Sequence, residues 1–342
     1  MRHRPLAFLT AVALTASLGT GCASRADDGP VKAQPTGPIG TAEKTTVKIG
    51  MRLPNLDTNA PVEIAIDKGY YKQEGLTVQR IEAQSIREGL VGGSLDFGVE
   101  AALDVVTAAR SGTGLRVVAG WRNREPYVVA VQPGISKPED LSGKPVLLGA
   151  NPGTIEYDVR VQLLKDAGFD ISKVRVKPVN LPGGSNAWVE QFKQKKLAMT
   201  VVFPRHKKPV QEAGGRIVLD VMKEWPNDVL TAKQSFIAKN PNTTARFLRA
   251  TLKAMKVWKD PAQQAYVQAL MQKKGFTVTP LEKQPDVYAN GPQLYDADMG
   301  LDPKGFDTLL STLKLPPSKF GSYTDLVQLG RAQREAGVKA RP

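Results

Sequence analysis

The chain has one cysteine, two histidines and only 6% aromatic residues among its 342 positions. A lone cysteine, Cys22, excludes a disulfide scaffold and any cysteine-rich metal site. With His3 and His206 as the only imidazoles, a Ser-His-Asp hydrolase or a His-ligated metalloenzyme would have to rest on one ring. Gly-x-Ser-x-Gly, His-Glu-x-x-His and the phosphate-binding Gly-rich loops are missing as well. The expectation is therefore a non-enzyme with no catalytic residue, no metal and no cofactor. No apolar run is long enough to cross a hydrocarbon core of roughly 30 Å, which excludes a polytopic membrane protein. What remains, 41% hydrophobic and 23% charged, is ordinary globular composition. The length fits about two domains of roughly 100 to 200 residues.

The first 22 residues bear on the compartment. Arg2 and Arg4 precede an apolar run from Leu6 to Leu18, the pattern of a signal peptide. Leu18-Gly19-Thr20-Gly21-Cys22 resembles a bacterial lipobox, with Gly19 where the usual leucine stands. On that reading residues 1–22 are a lipoprotein signal ending in Cys22, the lipidation site; the alternative is a nearby cleavage and an incidental cysteine. Acyl chains contribute about 0.8 kcal/mol per buried methylene, so several would anchor the protein firmly on the periplasmic or outer face of the membrane. Residues 23–45, rich in Ala, Gly, Pro and Thr without periodicity, read as a flexible tether. Loss of Arg2 and Arg4 leaves 45 basic against 33 acidic residues, net +12. The basic residues are scattered without interleaved aromatics, and with an export signal this argues against nucleic acid as partner.

From Thr46 the pattern alternates strands and helices. Strands are expected at 47–53, 76–83, 95–100 and 115–121, then at 127–133, 146–151, 174–179 and 199–203. Helices fall between them at 60–69, from Ile86, 101–110, 154–167 and 186–195. This predicts two α/β units, each with a mostly parallel sheet flanked by helices.

Five segments in order, KGYYKQEGLTV (68–78), GLVGGSLDFGV (89–99), ISKPEDLSGKPV (135–146), LLKDAGFD (163–170) and FIAKNPNTTARFLRA (236–250), resemble ABC-transporter substrate-binding proteins of the nitrate, sulfonate and taurine type. The resemblance implies the two-lobed, periplasmic-binding-protein type II fold, in which the chain leaves lobe one, builds lobe two and returns. Lobe one is then 46–126 with 230–342 and lobe two 127–229, with crossings near Pro126–Pro133 and Val229–Lys239. Beyond Phe276 the family pattern fades, and helical packing followed by a loosely ordered tail is expected. Where the family commonly has Gly-x-x-Asp-Ala in lobe two, this chain has KKLAMTVV (195–202), with Lys196 and Met199 in place of Gly and Asp. In lobe one Asp96 reads as structural, and Tyr70 and Tyr71 as packing between helix and sheet.

In open α/β sheets ligands bind beyond the carboxyl ends of the strands. Those ends offer Asn55, Asn59, Gln84, Ser85, Glu100, Trp121 and Arg122 from lobe one, and Thr154, Tyr157, Asn186, Arg205 and His206 from lobe two. Thr154 opens a helix, where unpaired N–H groups favour an anion, or it merely caps that helix. Arg122 and Arg205 can grip a carboxylate or sulfonate through parallel hydrogen bonds, or lie on the surface. Trp121 can stack on a planar solute or belong to the core. Glu100 suits an ammonium or ring N–H, and His206 a ligand contact or a pH response. The resemblance thus implies a monomeric, lipid-anchored protein that delivers a small organic anion to the permease of an ABC importer. A planar heterocycle as solute and a non-transport sensor are the alternatives.

Overall fold

The computed structural model describes residues 34–52, 56–182, 184–276 and 291–339. Cys22, the signal segment and Asn55 lie outside the described residues, as does the stretch 277–290. Lobe one opens with β1 (Thr46–Met51), α1 (Leu56–Asp67), α2 (Tyr70–Gln73), β2 (Thr77–Glu82), α3 (Ile86–Gly92), β3 (Phe97–Ala101), α4 (Ala102–Arg110) and β4 (Leu115–Arg122). Lobe two follows with β5 (Glu125–Val131), β6 (Pro145–Leu147), α5 (Ile155–Asp166), β7 (Lys177–Pro178), α6 (Gly184–Lys193), β8 (Met199–Val202), α7 (Lys207–Glu212) and β9 (Arg216–Lys223). The return brings β10 (Asp228–Lys233), α8 (Gln234–Lys239), α9 (Pro241–Lys259), α10 (Gln264–Lys273), α11 (Pro303–Thr312) and α12 (Val327–Glu335).

The two sheets share one plan. Their strand orders are β2-β1-β3-β10-β4 and β7-β6-β8-β5-β9. In the first, β1 is parallel to β2 and β3, and β10 runs antiparallel between β3 and β4. In the second, β6 is parallel to β7 and β8, and β5 runs antiparallel between β8 and β9. The chain crosses between sheets at Asn123–Arg124 and again at 224–227. Both crossings come earlier than expected. Pro126–Val131 is already paired with β8 and β9, and Val229–Lys233 with β3 and β4. The edge strand expected at 174–179 shrinks to Lys177–Pro178, because proline cannot donate to a ladder.

Local chemistry explains the lobe-one core. Val47, Ile49 and Met51 alternate inward from β1. Gly98 lets α3 lie directly on the sheet, since a Cβ there would sit 2.3 Å from Ile86 Cγ2. Phe247 of α9 stacks on Phe97 at 4.3 Å and on Tyr71 at 5.0 Å, and the Tyr71 hydroxyl lies 3.0 Å from Thr251 Oγ1. Asp96 accepts hydrogen bonds from the Lys48 amide and from the Lys44 ammonium, which makes it structural. The backbone also aligns the lobes at the family motif. The Asp96 amide donates to the Lys48 carbonyl of β1 as the Ala198 amide donates to the Pro145 carbonyl of β6. Gly93 (φ 77°) and Lys195 (φ 59°) therefore hold equivalent left-handed positions. In lobe two the motif's Gly and Asp are replaced by Lys195 and Ala198, one residue before the positions read from the sequence.

Two further expectations change. From Gln34 onward the supposed tether is strapped to lobe one. Arg331, 1% exposed, donates to the Gly37 and Pro38 carbonyls and to Asn242. The Arg246 and Arg334 guanidiniums bond to the Gly40 and Thr36 carbonyls, and the Ile39 amide donates to Glu335. The C-terminal segment is not a loose tail either, for α12 buries Leu329 and Ala332 in the lobe-one core.

Candidate functional site

Strand direction fixes where a cleft forms. β4 runs with β1, β2 and β3, because each of β3 and β4 is antiparallel to β10, so all four end on one edge of their sheet. β5 starts at the edge where β6, β7 and β8 end. The crossing from β4 to β5 therefore sets the carboxyl ends of both sheets against each other, which makes the loops and helix starts there the candidate solute-binding surface.

On the lobe-one side, Glu100, the last residue but one of β3, carries a buried carboxylate. Arg52, one residue past β1 and more than half exposed, donates to it at 2.9 Å and to Asp104 at 3.2 Å. Burial raises the Glu100 carboxyl above its ordinary range, while Arg52 pulls it back. Arg52 was hidden in the sequence inside an apparent strand. A cation immediately after a buried strand, at the carboxyl edge of the sheet, is the signal that finds it. Gln84 and Ser85 are exposed ahead of α3, and Asn59 is fully buried in the first turn of α1. Trp121 is 1% exposed, and its indole N–H donates to the Thr58 carbonyl at 3.0 Å. It anchors the start of α1 rather than offering a stacking face. Arg122 is occupied as well, donating to Glu125 at 3.0 Å and pairing with Asp228 at 2.9 Å. Its place is the crossing, not a cleft wall.

On the lobe-two side, Thr154 caps α5, accepting from the Tyr157 amide while its hydroxyl donates to the Asn151 carbonyl at 2.7 Å. Tyr157 is half-buried, which raises its phenol. Arg205 spans from β8 to α6, donating to Ser185 Oγ at 3.1 Å with its guanidinium 5.0 Å from the Phe203 ring centroid. His206 is fully buried. Its Nδ1 accepts from the Phe203 amide at 3.2 Å, so Nε2 carries the proton and donates to Asn186 Oδ1 at 2.8 Å. Burial, helped by the Arg205 charge, lowers its pKa to about 3. The imidazole is a neutral strut between β8 and α6, and neither it nor Asn186 is presented as an isolated ligand contact. The structure thus brings Glu100 together with Arg52 and Asp104 in one lobe and Arg205 together with Ser185 in the other, while Gln84 and Ser85 precede α3 and Thr154 and Tyr157 open α5. Among the described residues no group of three His, Cys, Asp or Glu side chains is disposed to hold a metal ion, and no helix is long and apolar enough to cross a membrane.

A family model described as NMT1/THI5 like matches residues 58–265. The chain belongs to that family. Solved structures with the same fold include the periplasmic aliphatic sulphonate binding protein SsuA of Escherichia coli, at TM-score 0.59 and 15% identity over 82% of this chain and 92% of that one. The periplasmic nitrate-binding protein NrtA of Synechocystis PCC 6803 matches at TM-score 0.54 and 14% identity, over 87% and 89%. The desulfurization enzyme DSZB matches at TM-score 0.54 and 12% identity, over 85% and 99%. No curated protein sequence matches the chain. The NMT1/THI5-like chain has the two-sheet fold of periplasmic binding proteins, as its strand order implies.

Proposed function

We propose that this protein is an extracytoplasmic solute-binding protein, monomeric and lipid-anchored through Cys22, that hands a small organic anion of sulfonate or carboxylate type to the permease of an ABC importer. The observation that carries the reading is the pair of sheets whose carboxyl ends meet across two crossings, the arrangement that lets a solute be enclosed between lobes. The likeness to SsuA and NrtA supports the same role. An anion is favoured over a planar heterocycle because a guanidinium follows the carboxyl end of a strand in each lobe, Arg52 after β1 and Arg205 after β8, while Trp121 is enclosed in the core. DSZB shows that an enzyme can have this fold, but His206, neutral with both ring nitrogens engaged, cannot act as a base at neutral pH.

A thermal-shift panel of alkanesulfonates, small carboxylates, nitrate and neutral pyrimidines tests the reading. A solute at 100 times its Kd stabilises the fold by about 2.7 kcal/mol, and the expectation is that only anions do so. Arg52→Gln and Arg205→Gln should each weaken binding more than tenfold, as expected when a charge-assisted bond to an enclosed anion is lost, which cuts that stabilisation to about 1.4 kcal/mol or less at the same solute concentration. Stabilisation by a pyrimidine alone, or turnover of a bound solute, refutes the proposal. Anchoring is tested separately: Cys22→Ala should leave the membrane fraction or remain an uncleaved precursor.

A further inference from the structure

At the start of sheet two lies a group of cations that the candidate solute-binding surface does not use. β6, β7 and β8 run parallel, so they begin at one edge, opposite the edge where the chain crosses between the sheets. Lys144 immediately precedes β6, Lys173 and Arg175 lead into β7, which opens on Lys177, and Lys195 and Lys196 lead into β8. Backbone bonds set these segments side by side. The Gly143 amide donates to the Arg175 carbonyl at 2.8 Å, the Lys177 amide to the Lys144 carbonyl at 2.9 Å and the Ala198 amide to the Pro145 carbonyl at 2.9 Å. Val174 and Val176 pack against the core and leave Lys173, Arg175 and Lys177 outward. All six cations are exposed, and none has a hydrogen bond, an ion pair or a ring contact from its side chain among the described residues.

The acids of the same segments do not neutralise them. Over 137–144, 165–177 and 190–198 nine basic residues stand against five acidic ones, so the excess is carried by these six. Four of the five acids are engaged close by. Asp140 accepts from the Ser136 and Lys137 amides, Asp166 from Gln162 and Asp170 from Ser172, and Glu190 pairs with Lys193. Lobe one supplies an internal reference, because Gly93 and Ser94 hold the places that Lys195 and Lys196 hold in lobe two. The backbone is the same and the charge is not. Lys195 moreover takes a left-handed φ of 59°, which costs a side chain more than it costs glycine.

We propose that this edge of lobe two is a docking surface for an anionic lipid bilayer. Its composition selects that partner. Five of the six cations are lysines, point charges on flexible stems, rather than arginine forks suited to one bound phosphate or carboxylate. Protein interfaces are depleted in lysine and built on aromatic and arginine anchors, and single-stranded nucleic acid needs aromatic faces to stack on. No such apolar anchor is exposed here: the exposed large hydrophobic residues among those described, Met222 and Val327, lie on β9 at the crossing edge and on α12 of lobe one. A bilayer offers spread negative charge, which requires only that several cations reach it together. With this edge on a bilayer, the carboxyl ends of β6, β7 and β8 face away from it. The docking needs neither Cys22 nor a bound solute, so it stands apart from the proposed transport role.

The test uses a chain beginning at Ala23, which keeps every described element and lacks the apolar run 6–18, and measures its co-sedimentation with vesicles. Phosphatidylcholine vesicles with about one third phosphatidylglycerol should bind it at about 0.1 M salt and release it at about 1 M, where the screening length falls from about 10 Å to about 3 Å. Pure phosphatidylcholine should not bind it. Lys195→Gly with Lys196→Ser, and separately Lys173→Gln with Arg175→Gln and Lys177→Gln, should each weaken binding more than tenfold. Lys195→Arg with Lys196→Arg should bind as the parent does, which separates charge from folding. Lys72→Gln with Lys256→Gln removes two exposed charges from lobe one and should change nothing. A parent with no preference for phosphatidylglycerol overturns the proposal, as do edge variants that bind like the parent. So does a lobe-one variant that loses as much, which would leave only the net charge of the chain. Binding to polyglutamate in place of vesicles would overturn it in favour of an acidic polypeptide.

Discussion

The neutral state of His206 makes a quantitative prediction about acid stability. Its folded pKa of about 3 lies below the ordinary value of 6.5, because the ring is fully buried and sits beside Arg205. The unfolded chain therefore takes up a proton between pH 6.5 and about 3 that the folded chain refuses. Stability is undiminished above pH 6.5 and falls through that window as pH drops. Each pH unit is worth about 1.4 kcal/mol, so between pH 7 and pH 5 this one group should cost about 2 kcal/mol. Other residues titrate in the same range, and the measurement must cancel them. Urea unfolding of the parent and of His206→Gln at both pH values does so. The glutamine variant loses the bond from the Phe203 amide and starts less stable at pH 7, but its slope with pH should be shallower by the predicted 2 kcal/mol. Equal slopes would mean that the imidazole protonates in the fold, which the Nδ1 acceptor role does not allow.

Two smaller perturbations probe the frame. Lys195 occupies a left-handed position that Gly93 fills in lobe one, so Lys195→Gly should raise stability by about 1 kcal/mol, read from the urea midpoint; a loss would show that the lysine side chain contributes more than the strain costs. Arg331→Met removes the bonds that hold the Gly37 and Pro38 carbonyls, and charged hydrogen bonds contribute about 1.5 to 3 kcal/mol each. Hydrogen exchange at the Ile39 and Gly40 amides should then accelerate more than tenfold, and unchanged protection would show that Glu335 and Asn242 hold the strap alone.

Most of the strand and helix order was legible because buried strands and amphipathic helices leave local patterns. What was not legible depends on pairing between distant segments. β10 reads as any apolar run, and only its ladders to β3 and β4 show that it has returned to lobe one. β9 escaped notice because it is an edge strand with only Leu219 fully buried. The site shows the same division. Strand ends locate the cleft, yet adjacent residues on a strand point to opposite faces, so Trp121 goes to the core and Arg122 to the crossing. The strap was missed for a related reason. Pro and Gly in 34–45 suggest flexibility, whereas the groups that fix it belong to α9 and α12, some 200 to 300 residues away.

The strap has a mechanical consequence. Its hydrogen bonds join the entering chain to α9 and α12, both elements of lobe one, so a pull transmitted from the N-terminal side arrives there and nowhere else. Lobe two, joined through two short crossings, lies off that path. A force along the strap loads the Arg331 and Arg246 bonds side by side, in shear, before it reaches either crossing. The entering chain is thus tied to lobe one by bonds that precede both crossings.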